Sequence, residues 1–327
     1  MGIWLSLLGV AVGLAILVKS ADVFVDGAAS LATRCGLSPL LVGAIVVGFG
    51  TSMPELTVSF LSALEGNPCI ALGNAYGSNI ANICLILGLT AAICPIAVAP
   101  NVLKRELPVL LIITVISGLL IINNGVISRL DAAIMLAVFF IVVTRNIIHE
   151  KKNPQPIDEV KVDERSSLGN SILKILGGLL FLVLSSQILV KCAIYIASAL
   201  GVPDLVIGLT IVAVGTSLPE LASSLAAIRR KEHDLALGNI VGSNFFNTLA
   251  VVGLAGVTRP MVLNSDADSI KMVLVRDYPL MFFVTIFLLI VCIPFRRGRP
   301  AVINRLEGLF LLIVYICYLA YLVMESL

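Results

Sequence analysis

Two glutamates, Glu55 and Glu220, each lie inside a long apolar stretch of the chain, 165 positions apart. A carboxylate in the middle of a membrane span is energetically costly, so an acid in that place indicates a functional site. Both acids belong to the same motif, which reads GTSMPEL in the first copy and GTSLPEL in the second. Matched acids in duplicated halves indicate a transport site where two repeats meet.

Hydroxyl and amide side chains recur at helical spacing around each glutamate. Thr51 and Ser52 precede Glu55 by four and three residues, so their hydroxyls share a helix face with the carboxylate. In the following motif, GSNxxN, Ser78 and Asn82 are also four residues apart. The second half repeats all five residues at the same offset, as Thr216, Ser217, Glu220, Ser243 and Asn247.

A proline stands directly before each glutamate, at Pro54 and Pro219. Proline lacks a backbone donor and disturbs the preceding helical turn, which should free carbonyls near Gly50 and Gly215. Non-helical backbone at membrane depth is tolerated where it lines a cavity or is buried in protein. The resulting donors are carboxylates, amides, hydroxyls and carbonyls, all hard oxygens, which suit Ca²⁺ or Na⁺ rather than zinc or copper.

Long apolar segments make up most of the chain and would position this site. Of the 327 residues, 59% are apolar and 13% charged, and the mean hydropathy is +1.07, which excludes an ordinary soluble domain. A membrane-spanning helix needs about 20 apolar residues. The sequence therefore predicts an all-α integral membrane protein with ten transmembrane helices, at residues 3–25, 39–64, 70–92, 106–122, 130–147, 171–198, 204–228, 235–257, 274–293 and 305–324.

The duplication divides the chain into two repeats of five helices, residues 1–147 and 170–327, joined by a polar linker at 148–169. Because five is odd, the second repeat must cross the membrane in the opposite direction to the first. Fifteen Lys and Arg residues fall on the side of the linker and four on the opposite side. This bias predicts a cytoplasmic linker, both termini outside, and a plasma (inner) membrane location.

At these motifs the chain resembles the cation/calcium exchanger superfamily and, within it, the prokaryotic sodium/calcium exchangers. The resemblance covers nearly the whole chain, since GTS[LM]PE and GSNxxN occur in both halves. It implies a secondary active transporter that exchanges Na⁺ for Ca²⁺ by alternating access, with a long first and sixth helix sliding across the core. It also implies that the ions bind mid-membrane between the repeats, at Glu55, Glu220, Thr51, Ser52, Thr216, Ser217, Ser78, Asn82, Ser243, Asn247, Gly48 and Ala213.

The chain departs from some of these relatives at Asn82 and Asn247, where they carry aspartate. With neutral amides at both positions, the two glutamates give the central site a formal charge of −2. One Ca²⁺ neutralises this charge, whereas three Na⁺ would exceed it by one. The departure therefore leaves the number of bound Na⁺ ions, and any dependence on K⁺, open.

Two other functions compete with Na⁺/Ca²⁺ exchange. A Ca²⁺ or other cation/H⁺ antiporter of the same fold is physically reasonable, because buried carboxylates can bind protons. An intramembrane enzyme would need a nucleophile and base or a metal motif, yet both histidines, His149 and His233, fall in charged loops. We therefore expect no enzyme activity, no cofactor and no nucleic-acid partner. The expected partners are the lipid bilayer and the transported Ca²⁺ and Na⁺, and the oligomeric state stays open, a monomer being compatible with the sequence.

Overall fold

The computed structural model describes most of the chain, namely residues 2–124, 126–152, 167–202, 207, 210–211, 213–262, 273–294 and 301–326. Within these ranges the protein is mostly helical. Most of the predicted linker 148–169 and much of the first part of the predicted span 204–228 lie outside the described residues. The inferences on those two segments therefore stay predictions.

The described α-helices lie close to the predicted spans. In chain order they are α1 Ile3–Cys35, α2 Pro39–Val42, α3 Gly48–Thr51, α4 Met53–Leu64, α5 Pro68–Ile80, α6 Gly88–Ile93, α7 Leu107–Asn124, α8 Arg129–Lys152, α9 Leu168–Ala199, α10 Ala213–Thr216, α11 Leu218–Arg229, α12 His233–Phe245, α13 Val252–Thr258, α14 Tyr278–Val291 and α15 Arg305–Ser326. Five π-helical segments continue several of them, at Gly43–Val47, Ala81–Leu87, Val102–Glu106, Phe246–Val251 and Val273–Asp277.

Seven helical segments of the described residues are long and apolar enough to cross a membrane. The bent pair Pro39–Thr51 and Met53–Leu64 would make an eighth. At the two remaining predicted positions the chain forms α7, of 18 residues, and α11, of 12 residues. The predicted span that contains α11 also includes residues that the structure does not describe. The chain is thus a multi-pass helical membrane protein.

The first helix extends ten residues past the predicted span 3–25, because charged residues at its far end do not interrupt helical backbone. It ends at Gly36, whose φ of 63° places it in the left-handed region that favours glycine. Leu37 N–H then donates to the carbonyl of Ala32 (2.9 Å), which closes the last turn. Ser38 begins the next helix, since its hydroxyl accepts from Leu41 N–H.

The π-helical segments occur at matched places in the two halves. Ala81–Leu87 corresponds to Phe246–Val251, and Val102–Glu106 corresponds to Val273–Asp277. π-helical turns are rare and occur frequently at functional sites. The first matched pair contains Asn82 and Asn247, so it sets the backbone of two predicted ion ligands. Apolar periodicity gives no signal for such a turn, and the sequence does not predict it.

Backbone contacts join the two halves directly. Strand β1 Ile96–Val98 pairs antiparallel with β4 Ala301–Ile303, and β2 Val126–Ile127 pairs with β3 Met261–Val262. Each pairing links a loop of the first half to a loop of the second and satisfies the backbone polar groups of both. In the core, a Cβ placed on Gly238 would lie only 2.3 Å from the carbonyl oxygen of Leu40, so only glycine permits this contact between the halves.

Candidate ion-binding site

The two GTSxPEL motifs form matching helix breaks. In the first, α3 ends at Thr51 and α4 begins at Met53, and the residue between them, Ser52, has φ −83° and ψ 8°. In the second break, Ser217 has nearly the same backbone angles, φ −89° and ψ 7°. The segments on either side of Ser52 are inclined by 46°. The prediction that the prolines interrupt the spans is confirmed.

The Gly215 carbonyl, which the second proline leaves without its helical hydrogen bond, is bonded by a side chain. Pro219 has no N–H to offer Gly215, which lies four residues earlier. The Gly215 carbonyl oxygen instead accepts a hydrogen bond from the Ser186 hydroxyl of α9 (3.0 Å). The long helix α9 is thus fastened to the break by a side-chain contact.

Each glutamate occupies the first turn of the helix that follows its break. Glu55 lies in the first turn of α4 and Glu220 in that of α11. The free N–H groups and the positive end of the helix dipole favour a carboxylate there. Both side chains are fully buried, and none of the ion pairs among the described residues includes either of them. The helix termini therefore supply the positive potential that no nearby Lys or Arg provides.

Hydroxyl groups of both halves contact the two glutamates. The Ser52 hydroxyl donates to Glu220 Oε1 (3.0 Å), and the hydroxyls of Ser78 and Thr216 lie beside the Glu55 carboxylate. The two glutamates are close enough to repel each other. These contacts bring both carboxylates into one site between the two halves.

Two asparagines, Asn74 and Asn239, form hydrogen bonds with the backbone at the helix breaks. Asn74 Nδ2 donates to the backbone oxygen of Glu55 (3.1 Å) and to the Ser59 hydroxyl (2.9 Å). Asn239 Nδ2, at the same place in the second half, donates to the backbone oxygen of Glu220 (3.2 Å) and to Ser224 (2.8 Å). These amides bind the peptide groups of the acids, so they act on the site through the backbone.

Asn239 also links the second break to the first half. Its Oδ1 accepts from the Thr51 hydroxyl (3.2 Å), which is also 3.0 Å from the Val47 carbonyl oxygen. The Ser243 hydroxyl similarly donates to the backbone oxygen of Gly48 (3.4 Å). Three predicted ligands, Thr51, Gly48 and Ser243, therefore take part in buried hydrogen bonds between the two halves.

The asparagines of the GSNxxN motifs differ in their contacts. Asn82 Nδ2 donates to Asn244 Oδ1 (3.2 Å). Asn82 Oδ1 has no hydrogen-bond partner among the described residues. Asn247 is fully buried, and neither its Nδ2 nor its Oδ1 has a partner. Asn79 Nδ2 donates to the Thr248 hydroxyl (2.8 Å). The oxygens of Asn82 and Asn247 thus remain available to a ligand.

Buried oxygens without hydrogen-bond partners occur throughout the site. They are Glu55 Oε1, Glu55 Oε2, Glu220 Oε2, Asn82 Oδ1, Ser217 Oγ and Asn247 Oδ1. Burying polar oxygens without partners is costly, and a bound cation would offset that cost. Ca²⁺ takes six to eight oxygen ligands, so the donor set fits the predicted cation. Among the described residues no three His, Cys, Asp or Glu side chains form a metal-binding group.

The structure buries ten of the twelve predicted ligands, namely Glu55, Glu220, Thr51, Ser52, Ser217, Ser78, Asn82, Ser243, Asn247 and Gly48. Thr216 is half-buried. Ala213 is the first residue of α10, and its side chain lies outside the description. Which of these residues bind an ion remains a proposal.

Several polar residues of the site were not predicted from the sequence, namely Ser59, Ser186, Ser223, Ser224 and Thr248. Ser59 and Ser224 carried a usable signal, because they lie four residues after the glutamates and follow the same offset of 165. Ser186 and Thr248 have no polar counterpart in the first half, where Ala21 and Ile83 stand at the corresponding positions. No repeat signal could identify these two.

Comparisons with known proteins give a family match, similar sequences and similar solved structures. The family described as "Sodium/calcium exchanger protein" matches residues 5–148 and 170–324. CaxA of Alkalimonas amylolytica is 42% identical over 323 residues, covering 97% of this chain and 98% of the relative. Sodium/calcium exchanger MaX1 of Methanosarcina acetivorans is 31% identical over 347 residues, 95% of this chain and 96% of the relative. The structure of the sodium-calcium exchanger NCX_Mj, soaked with zero Na⁺ and Ca²⁺, matches with a TM-score of 0.81 and 30% identity, covering 98% of this chain and 99% of that one.

Proposed function

The chain belongs to the family of sodium/calcium exchanger proteins, and from that premise we propose that it exchanges Na⁺ for Ca²⁺ across the membrane by alternating access. The observation that carries the proposal is the set of buried oxygens without partners around Glu55 and Glu220, at the place where the halves meet. Relatives of this family are exchangers, so the protein is a transporter and not an enzyme.

Glu55 and Glu220 supply the charge that binds the cation in the proposed mechanism. Ca²⁺ and Na⁺ compete for the same two carboxylates, because each must be offset by negative charge in a site closed to water. The neutral oxygens of Asn82, Asn247 and Ser217 complete the coordination. A formal charge of −2 matches one Ca²⁺, so exchange must replace one divalent ion by Na⁺ ions that the same acids hold.

The proposed architecture is a pair of inverted repeats, each of five spans. The matching backbone angles at Ser52 and Ser217 support it, as do the matched π-helical segments. The strand pairings join loops that the inverted arrangement places on one side of the membrane, with β1 and β4 on the cytoplasmic side and β2 and β3 outside. The long helices α1 and α9 would move across this core between inward-open and outward-open states.

The orientation can be tested at the linker. We place the linker in the cytoplasm and both termini outside the plasma (inner) membrane, from the distribution of Lys and Arg. A single cysteine introduced at Asp158, in a variant whose own cysteines are replaced, should resist impermeant thiol reagents added to intact cells. A cysteine at Gly2 should react under the same conditions. Labelling of the Asp158 position from outside would contradict the orientation.

The exchange reaction can be tested in vesicles that contain the purified protein. Radiolabelled Ca²⁺ uptake should follow an outward Na⁺ gradient and stop when K⁺ replaces the internal Na⁺. A pH gradient imposed without Na⁺ should drive no uptake. Uptake driven by the pH gradient alone would instead indicate Ca²⁺/H⁺ antiport, and the absence of uptake under both gradients would contradict Ca²⁺ as the cargo.

A further inference from the structure

A groove with a volume of about 600 Å³ lies between α1 and α9, away from the ion-binding site. Its walls are apolar, formed by Ile16 and Val23 of α1 and by Leu173 and Phe181 of α9. Four polar side chains also line it, namely Lys19, Ser20, Asn170 and Lys174. An apolar groove with cationic groups beside it has the chemistry of a binding site for an amphipathic anion.

Lys19 is the unusual member of this lining. It lies halfway along α1, a helix of 33 residues with many exposed apolar side chains, and it is itself exposed. None of the ion pairs among the described residues includes it. A charged side chain that faces lipid is costly unless it reaches the interface or meets an opposite charge. Lys19 therefore needs an anion, and the groove beside it can hold one.

The length of α9 places the Asn170 end of the groove near headgroup depth. Asn170 is in the first turn of α9, whose 32 residues correspond to about 48 Å of helix, against about 30 Å of hydrocarbon. Lys174, one turn further, forms an ion pair with Asp26 (2.7 Å), and Arg230 binds the same carboxylate (2.6 Å). Asp22 pairs with Arg229 at 3.4 Å.

The charges at this end of the groove do not cancel. Of the residues that line the groove, Lys19 and Lys174 are cationic and none is acidic, and Lys19 takes part in none of the ion pairs among the described residues. The excess of positive charge is complementary to a phosphate group. Basic pockets between transmembrane helices on the cytoplasmic side are known to take anionic headgroups.

We propose that this groove binds an anionic phospholipid of the leaflet at the Asn170 end, with its phosphate between Lys19 and Lys174. One acyl chain lies along the apolar wall formed by Ile16, Val23, Leu173 and Phe181. Free phosphate would use only the cationic end and would leave this wall exposed. The wall therefore favours a lipid as the source of the anion. The proposal does not depend on which ions the protein transports.

A fluorescent reporter placed in the groove can test lipid binding directly. Trp4 is the only tryptophan of the chain, and the double change Trp4→Phe and Phe181→Trp moves the reporter into the lining. This reporter protein is reconstituted in phosphatidylcholine vesicles that contain a fraction of brominated phosphatidylglycerol or, separately, brominated phosphatidylcholine. We expect stronger quenching by the brominated phosphatidylglycerol.

Two variants of the reporter protein locate the anion. Lys19→Gln should lower the preference for phosphatidylglycerol about fivefold, the usual effect of one lysine near an anionic lipid. Lys104→Gln removes an equally exposed charge outside the groove and should leave the preference unchanged. Equal loss in both variants, or no preference in the reporter protein itself, would overturn the proposal. Lys19→Arg keeps the charge and should keep the preference.

Two further measurements separate the lipid from other occupants. Beyond the adjacent residues and the backbone of its own helix, no described atom lies within 4 Å of a Cβ placed on Gly177, so Gly177→Leu introduces a side chain into open space in the groove. This change should reduce quenching by both brominated lipids, and unchanged quenching would contradict an acyl chain in the groove. Sodium phosphate added at constant ionic strength should not relieve quenching. Relief by phosphate would identify a soluble anion site and overturn the lipid assignment.

Discussion

The two helix breaks that carry Glu55 and Glu220 share one motif but are held by different numbers of contacts. At the second break, Ser186 binds the Gly215 carbonyl and Ser52 binds the Glu220 carboxylate. At the first break, the Ser78 and Thr216 hydroxyls lie beside the Glu55 carboxylate, but neither Glu55 oxygen accepts a hydrogen bond of good geometry from the described residues. Ser217, the counterpart of Ser52, also leaves its hydroxyl without one.

The asparagines below the breaks differ in the same direction. Asn239 donates to Ser223 (3.0 Å) as well as to Ser224 and the Glu220 backbone, whereas Val58 stands where the first half would need the counterpart of Ser223. Asn239 is also fully buried, and Asn74 is half-buried. The second break is therefore held by more hydrogen bonds than the first, and a cation can use both oxygens of Glu55 but only Oε2 of Glu220 without displacing a hydrogen bond.

Neutralising either glutamate should have the largest effect. Glu55→Gln and Glu220→Gln keep side-chain size but remove one of two buried charges that offset the cation. The cation would then lie in a buried site with half of its charge uncompensated, which is strongly unfavourable, so Na⁺-driven Ca²⁺ uptake should fall by more than about 100-fold. Radiolabelled Ca²⁺ uptake in vesicles measures the loss.

The loss of uptake in the Glu220 variant should not come from unfolding. A glutamine at position 220 can still accept from the Ser52 hydroxyl, so Glu220→Gln should leave the unfolding midpoint nearly unchanged. Glu65→Gln, which changes an exposed acid at the end of α4, should leave uptake unchanged. Normal exchange in both glutamine variants would show that these acids are not the central ligands.

Changing Asn247 should have the next largest effect. Asn247→Asp adds a carboxylate to a site with two, so Ca²⁺ and Na⁺ should both bind more tightly. We expect a lower apparent KM for Ca²⁺ with an equal or slower maximal rate, because a tightly held ion leaves slowly. Asn247→Ala should raise the KM by removing an oxygen. Initial exchange rates measured against Ca²⁺ concentration give both values.

Asn82 provides a matched comparison for this prediction. Its Nδ2 is engaged by Asn244 Oδ1, so Asn82→Asp would place a carboxylate against an amide oxygen and lose that hydrogen bond. The gain in Ca²⁺ affinity should therefore be smaller than for Asn247→Asp. Unchanged concentration dependence in both Asn247 variants would identify this residue as a packing residue.

The sequence predicted those features of the site that the duplication repeats. The offset of 165 aligned the glutamates, prolines and GSNxxN motifs, and the structure places the described parts of both motifs in matching positions. Sequence comparison with itself cannot identify what is present only once. Ser186, Ser223 and Thr248 occur in the second half alone, so they were missed together with the asymmetry that they create.

Helix ends and π-helical turns were also beyond the sequence analysis, for a physical reason. Hydropathy marks where hydrocarbon begins, whereas α1 continues to Cys35 because backbone hydrogen bonds continue in water. The Gly36-Leu37-Ser38-Pro39 turn marks the true end, through a left-handed glycine and an N-cap serine. The π-helical segments depend on packing between distant helices, which no local pattern encodes.

The asparagines allow the difference in rigidity to be measured as stability. Asn239→Ala removes two N–H donors, which three oxygens share, and the acceptor of the Thr51 hydroxyl, whereas Asn74→Ala removes two donated hydrogen bonds. With about 0.6 kcal/mol for each buried hydrogen bond in a membrane protein, Asn239→Ala should lower the free energy of unfolding by about 2 kcal/mol and Asn74→Ala by about 1 kcal/mol. Thermal unfolding in detergent gives the ranking, and equal midpoints would contradict the firmer second break.

The smallest expected effect concerns the fastening of α9 to the second break. Ser186→Ala removes the donor to the Gly215 carbonyl and should lower the free energy of unfolding by about 0.5–1 kcal/mol. The first half offers the reciprocal change, because Ala21 of α1 stands where α9 has Ser186. Ala21 is buried, so Ala21→Ser should stabilise the protein only if its hydroxyl reaches the Gly50 carbonyl as Ser186 reaches that of Gly215. Thermal unfolding midpoints of both single variants and of the double variant separate the two contributions. A rise for Ala21→Ser that equals the fall for Ser186→Ala would show that one missing hydroxyl accounts for the difference in how the long helices hold their breaks. A fall in both would show that the first break has no room for this contact, and that its freedom arises from packing as well as from hydrogen bonding.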